Sequence, residues 1–259
     1  MPPSSENFEG HHSALVLSGE DDFTPFIIEQ FAKPAGIDVI LCGLSADDDV
    51  SATSIEVGED GRPTFNMMVR NGSQFKTTLA IPGKQSVGNA LYAAAVASEL
   101  GIPQFTIDEV FQSLQITGRR QEVRRAACGA RVIDDSYNAS PESMAAGLDL
   151  LSTLPCSGTR IAVLGEMGEL GEEGERFHEL VGAYAAAKKP GLAIFVGGEN
   201  AQAMARSARM MGLGEDAVAV VPSCDKLIAR YRTVLSATDL VLVKGSRFVG
   251  LDRFVEEVC

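Results

Sequence analysis

The sequence predicts an α/β protein in two parts, a mixed sheet with hairpins followed by a doubly wound parallel sheet. Three observations carry this. From Arg131 onward, five apolar runs alternate with amphipathic stretches, the rhythm of a parallel sheet covered on both faces. Between residues 50 and 83 the runs are broken instead by Glu59-Asp60-Gly61 and Asn71-Gly72, which are hairpin signals. Between the two patterns lies TGRRQEVRRAACGARVIDDSYNASP (117–141). It sets five arginines ahead of the strand VID and an acidic pair, a tyrosine and an asparagine at that strand's end. The stretch reads as a junction between domains with a polar site beside it.

In chain order, residues 1–12 are polar and contain His11 and His12 without a further metal ligand nearby, so a solvated tail is expected. ALVLSGEDD (14–22) is a short buried strand. FTPFIIEQFAKPAG gives a helix with Phe26, Ile27, Gln30 and Phe31 at helical spacing, stopped by Pro34 and Gly36. DVILCGLS (38–45) is a second apolar strand, parallel to the first. Asp47-Asp48-Asp49 lacks the remaining spacing of a calcium loop and reads as a solvated loop. Three short antiparallel strands follow. Ser86 is expected to cap a helix running to about Leu100, with Gly101 as its stop. Thr106 and Glu109 predict a capping box for the next helix. Gly83-Lys84 is not a phosphate loop, because GxxxxGK[ST] fails on both sides of it.

The second part reads RVIDDSY, RIAVLGEM, LAIFVGG, AVAVV and DLVLVKGS, each followed by a helix. Phe177, Leu180, Val181 and Tyr184 mark the second of these helices, whose start carries Glu172, Glu173 and Glu175 at the positive end of the helix dipole. Phe248, Leu251, Val255 and Val258 mark the last. Such sheets bind ligands at the carboxyl ends of their strands. Polar residues and glycines collect there: Asp134, Asp135, Tyr137 and Asn138, then Gly165-Glu166-Met167, Gly197-Gly198, and Lys244-Gly245-Ser246-Arg247. The glycines let backbone N–H groups approach a ligand, and Lys244 and Arg247 can bind carboxylate or phosphate. GEMGELG lacks the GxGxxG spacing, so NAD binding has weak support. No Ser/His/Asp nucleophile set is visible, and His178 reads as a surface or edge histidine.

Composition narrows the function. A formal net charge of −13 argues against nucleic acid or an anionic membrane as partner, though it leaves an anionic small ligand open. Cys42, Cys128, Cys156, Cys224 and Cys259 are scattered without a CxxC, so neither zinc nor a disulfide framework is expected, and a reducing compartment is. MPPSSENFEGHH has no basic or apolar signal region, and ALYAAAVA is too short to span a bilayer, so a cytoplasmic protein is expected.

DDSYNASPESM, VLGEMGELGEEGERFHELVG and VLVKGSR together resemble the Mur ligases of bacterial cell-wall synthesis, and within them the MurF type. LSGEDDF and PGKQSVGNALYAAAVA extend the likeness over nearly the whole chain. The resemblance implies that residues 1–117 are the second half of a central ATP-binding domain and that 118–259 are a Rossmann-like C-terminal domain. It implies an ATP-dependent amide ligase that joins D-alanyl-D-alanine to UDP-N-acetylmuramoyl-tripeptide through an acyl phosphate, with ATP and Mg2+ as cofactors. Carried over by motif, Arg119 contacts an ATP phosphate, while Asp135, Tyr137 and Asn138 hold the ribose and base side. Asn89 joins the same nucleotide pocket, and Lys244, Ser246 and Arg247 lie near the amino substrate. No metal ligand is assigned.

The sequence also departs from the family. Its UDP-binding domain and GTNGKT-type phosphate loop are not among these residues, and Gln85-Ser86 stands where the family has His-Asn. The chain alone is therefore expected to be inactive. The alternative is a non-catalytic binding or regulatory protein derived from such a ligase, and an NAD-linked enzyme ranks behind both.

Overall fold

The computed structural model describes residues 13–70, 72–114 and 120–259. They form two units. The first is the chain up to Leu114 without the short segments Glu59–Gly61 and Ile81–Gly83; the second is those segments and the rest.

The first unit is a five-stranded sheet in the order β1-β2-β3-β4-β5. β1 (Ala14–Ser18) and β2 (Asp38–Gly43) are parallel along their length, and β2 touches β3 (Val50–Val57) only at Cys42↔Val50 and Gly43↔Ser51. β4 (Pro63–Met68) and β5 (Gln74–Thr78) complete the three antiparallel strands that the turn signals predict. α3 (Ser86–Glu99) lays Val87, Leu91, Ala94 and Ala95 on a core with Ile40, Val50, Phe65 and Met67.

Four local expectations are corrected here. Ser86 is the first residue inside α3, and Gln85 occupies the cap position. α4 (Gln104–Ser113) begins two residues before Thr106, so no capping box forms. Pro103, extended at φ −61° and ψ 142°, starts that helix because it has no N–H to continue one backwards. The helix expected from Phe23 runs as α1 (Thr24–Ile27), a π turn (Ile28–Ala32) and α2 (Lys33–Ala35). Pro34 cannot donate to an α turn, and Lys33 N–H bonds to the carbonyl of Ile28, five residues back. The extra residue rotates the apolar face, leaving Phe26 and Phe31 exposed edge to face while Thr24 and Ala32 are buried. The acidic triplet is not simply solvated either. Asp48 is buried beside Gly19 and Gly43, where any Cβ would strike its carboxylate, and Asp49 accepts the Leu41 N–H at 2.9 Å.

The second unit is a six-stranded sheet ordered β10-β9-β8-β11-β7-β6. β7 (Arg131–Asp135), β8 (Arg160–Gly165), β9 (Leu192–Val196), β10 (Val218–Val221) and β11 (Leu240–Lys244) are the five expected parallel strands. β6 (Glu122–Arg125) is an addition: the arginine-rich stretch forms an antiparallel edge on β7. Its charges suit an edge, where they discourage further pairing, and Arg124 reaches the buried Asp134 at 3.7 Å.

Alternate residues of each strand feed opposite cores. Ala162 and Leu164 of β8 pack with α5 (Pro141–Thr153), α6 (Gly174–Lys188) and α7 (Glu199–Met210). Ile161 and Val163 pack with α8 (Cys224–Tyr231) and α9 (Asp252–Val258). Burial on both faces explains why these strands read as unbroken apolar runs. Leu251, Val255 and Val258 are buried as expected, whereas Phe248 precedes α9 and is exposed; Leu180 on α6 is exposed as well. Among the described residues, no helix is long and apolar enough to cross a membrane.

Candidate ligand-binding cleft

The register of the second sheet brings the carboxyl ends of β7, β11 and β8 side by side, with Lys244 opposite both Asp135 and Leu164. Lys244 does not project outward from there. It is 2% exposed, its Nζ lies 2.8 Å from Asp135 Oδ2, and it donates to the Asn138 carbonyl at 3.0 Å. Asp135 is itself 6% exposed, and burial raises its carboxyl above the ordinary value while the Lys244 charge pulls it back in part. Beside it, Asp134 accepts from both the backbone N–H and the hydroxyl of Ser136. The pair and the turn thus fix the path of 136–140 out of the sheet.

Ser246 ties the three loops together. Its N–H donates to the Glu166 carbonyl at 3.0 Å, its Oγ accepts from Gly168 N–H at 2.8 Å, and it donates to Asn138 Oδ1 at 3.4 Å. Above this floor opens a cavity of about 860 Å³. Tyr137–Ser140 after β7, Gly168–Leu170 after β8 and Ser246–Phe248 after β11 line it. Arg247 is the cation on its wall and Glu169 the anion; among the described residues neither is held in an ion pair. Tyr137 and Phe248 supply aromatic faces, and the Arg120 guanidinium stacks 4.6 Å from the Tyr137 ring centroid.

The glycines at this edge serve several ends. Gly165 and Gly245 face each other across β8 and β11, where a Cβ on Gly245 would lie 2.9 Å from the Gly165 Cα. They allow backbone to approach backbone under Leu251, not a ligand. Gly197 and Gly198 answer to Glu166, whose Oε1 accepts the N–H of Gly198 at 2.9 Å and of Ala201 at 3.2 Å. That carboxylate caps α7 and does not line the cavity. Gly168 does line it, and a side chain there would press on Phe248.

Of the residues singled out from sequence, Tyr137, Asn138, Ser246 and Arg247 meet at the cavity. Asp135 and Lys244 lie buried behind it, and Asn89 is exposed on α3 in the first unit. Arg119 lies outside the described residues. Sequence reasoning passed over Glu169, Leu170 and Phe248. GEMGELG was the available signal for the first two, because two glycines around Glu-Leu mark a tight loop at a strand end. Among the described residues, no group of three or more His, Cys, Asp or Glu side chains is placed to hold a metal ion.

A sheet of this topology with a polar cleft at its switch edge defines a ligand-binding α/β domain. Residues 118–247, half of the chain, match the family model described as Mur ligase, glutamate ligase domain. The chain belongs to the Mur ligase family. The UDP-N-acetylmuramoyl-tripeptide--D-alanyl-D-alanine ligase of Mycobacterium bovis is 33% identical over 261 residues, covering 93% of this chain and 50% of that protein. The crystal structure of MurF from Acinetobacter baumannii matches with a TM-score of 0.79 at 25% identity, over 95% of this chain and 51% of the other. MurF ligase from Thermotoga maritima, solved in complex with ADP, shares the fold with a TM-score of 0.73 at 22% identity, over 95% of this chain and 53% of that one. The chain spans about half the length of the curated relatives it matches.

Proposed function

We propose that this chain forms the dipeptide-binding side of a MurF-type amide ligase, which joins D-alanyl-D-alanine to UDP-N-acetylmuramoyl-tripeptide in the cytoplasm. The observation that carries the reading is a cavity whose lining presents, among the described residues, one cation, Arg247, and one anion, Glu169. A free dipeptide needs both, a partner for its carboxylate and a partner for its ammonium. Ser246 and Asn138 offer hydrogen bonds between them, and Lys244 acts from behind by holding the Asn138 carbonyl.

ATP, when bound with Mg2+, supplies the phosphoryl group that activates the acceptor carboxylate. The residues present fit the nucleoside end of such a ligand: Tyr137, backed by Arg120, offers an exposed aromatic face beside Asn138. Asp135 contributes by fixing that turn, while Arg119 and Asn89 belong to the nucleotide side by motif. The phosphate end is a different matter. The 259 residues contain no GxxxxGK[ST] sequence. These residues orient substrates, and the chain alone does not catalyse ligation. The net charge of −13 fits a small-molecule site better than a nucleic-acid or membrane surface.

Calorimetry on the chain tests the reading. D-alanyl-D-alanine should bind, and Arg247→Ala and Glu169→Gln should each weaken it by about tenfold, as loss of a charge-assisted bond does. The N-acetylated dipeptide, lacking the ammonium, should bind more weakly and ignore Glu169→Gln. Absence of dipeptide binding, or indifference to both substitutions, sinks the proposal. The second reading, a non-catalytic binding protein, draws on Gln85-Ser86. It predicts that adding the ATP-binding half of a MurF relative restores no ligation; the first reading predicts that ligation appears.

A further inference from the structure

His178 lies on α6 and is fully buried, contrary to its reading as a surface or edge residue. Both ring nitrogens are engaged by backbone groups, one in the loop that lines the cavity and one at Gly174, the first residue of α6, where that loop ends. Nε2 accepts the Met167 N–H at 2.8 Å, and Nδ1 stands 2.6 Å from the Gly174 carbonyl. A carbonyl can only accept and an N–H can only donate. Nδ1 therefore carries the proton and Nε2 is bare, a neutral ring in one tautomer.

Those two bonds clasp the two ends of residues 167–174, and Gly168, Glu169 and Leu170 between them face the cavity. The loop is costly to hold in this shape. Glu169 sits at φ 62° and Gly171 at φ 57°, and the left-handed region is unfavourable for glutamate. Such a conformation persists only where its surroundings over-determine it. The Gly168 bond to Ser246 and the packing of Leu170 on the core are restraints, and the imidazole is a further one.

We propose that His178 is a positioning residue of this site, which holds Glu169 toward the ligand by bonding both ends of its loop. The dipeptide as ligand rests on the reading above; the clasp itself does not. Nitrogen-15 histidine spectra of the unliganded chain test the clasp directly. A protonated Nδ1 with a bare Nε2 is expected, and the opposite tautomer or an exchanging mixture overturns it.

Substitution then tests the role. His178→Leu fills the site without either bond, and should lower hydrogen-exchange protection of the Met167 and Gly168 amides by about tenfold while sparing Ala162–Leu164 of β8. His178→Gln, whose amide oxygen can reach the Nε2 position, should restore most of it. Should the leucine variant not fold, the glutamine variant and the tautomer carry the test. In dipeptide binding, Glu169→Gln should add no further loss once His178 is leucine. Additive losses, or a leucine variant that loosens β8 as much as the loop, would reduce His178 to a packing residue. A chain that shows the clasp but binds no dipeptide overturns the ligand assignment and leaves the positioning role standing.

Discussion

The Lys244–Asp135 pair shows what one residue can do from behind a site. Each is almost fully buried, so each is tolerable only with the other, and removing one leaves an uncompensated charge. Lys244→Met should therefore cost about 3–5 kcal/mol in urea unfolding, and the double variant with Asp135→Asn should cost clearly less than that single change. The pH dependence follows from the raised carboxyl of Asp135. Its neutral form is favoured in the folded chain, so its contribution is present in acid and is lost as pH rises through the raised value. Removal of Lys244 deepens that loss, and the deficit of Lys244→Met should shrink between neutral pH and about pH 4. Sequence alone marked Lys244 as a cation able to bind carboxylate or phosphate, because KGSR closes a strand. Its burial depends on register with a strand more than 100 residues earlier in the chain, which no local pattern carries. The cysteines separate similarly. Burial, then Asp48 and Asp49, push the Cys42 thiol up to about 12, and Cys128 is exposed. A thiol reagent at mild alkaline pH should label Cys128 in the native chain and reach Cys42 only on unfolding. Because the Cys42 value is raised, its stabilising share is complete below the ordinary thiol range and disappears as pH climbs towards about 12.

At the scale of elements, helix starts decide how the loops leave the sheet. α5 begins with Ser140 and Ser143 bonded reciprocally, a capping box set beside the cavity. α7 instead begins on a carboxylate from another strand's loop, Glu166, which also suits the positive end of the helix dipole. Glu166→Ala should cost about 1–2 kcal/mol by chemical denaturation, and Glu166→Gln, which can still accept, should recover part of it. A Gln variant no better than Ala would show that charge outweighs hydrogen bonding there. The same elements explain which parts of the fold sequence could reveal. β7 to β11 are buried on both faces and spell themselves as apolar runs. β6 is an edge strand of charged residues, EVRR, and escapes a reading by apolar runs because Val123 is its only apolar side chain. The α1 segment misled because helical spacing assumes 3.6 residues per turn, and a π turn breaks that count.

At the scale of the molecule, the described residues that line the cavity all follow strands of one sheet and belong to the second unit. That is why half of the site was legible. Tyr137, Asn138, Ser246 and Arg247 follow the ends of strands that periodicity locates, whereas Glu169 lies in an irregular turn and Phe248 in a 3-10 turn, Arg247–Val249, and both take their direction from the fold. The second unit also has two apolar cores of its own, one on each face of its sheet. Residues 118–259 produced alone should therefore unfold cooperatively and bind D-alanyl-D-alanine within about twofold of the 259-residue chain, because all of the described lining residues are kept. Stability should nonetheless fall. The segments Glu59–Gly61 and Ile81–Gly83 belong to this unit, and Gly61 stands against Leu150 of α5 and Leu154 just after it, which would meet water without it. Lower melting temperature with unchanged affinity is the expected pair of results. Loss of affinity in a fragment that keeps its circular dichroism would mean that the dipeptide draws on residues beyond this sheet, and would move the ligand site away from Arg247 and Glu169.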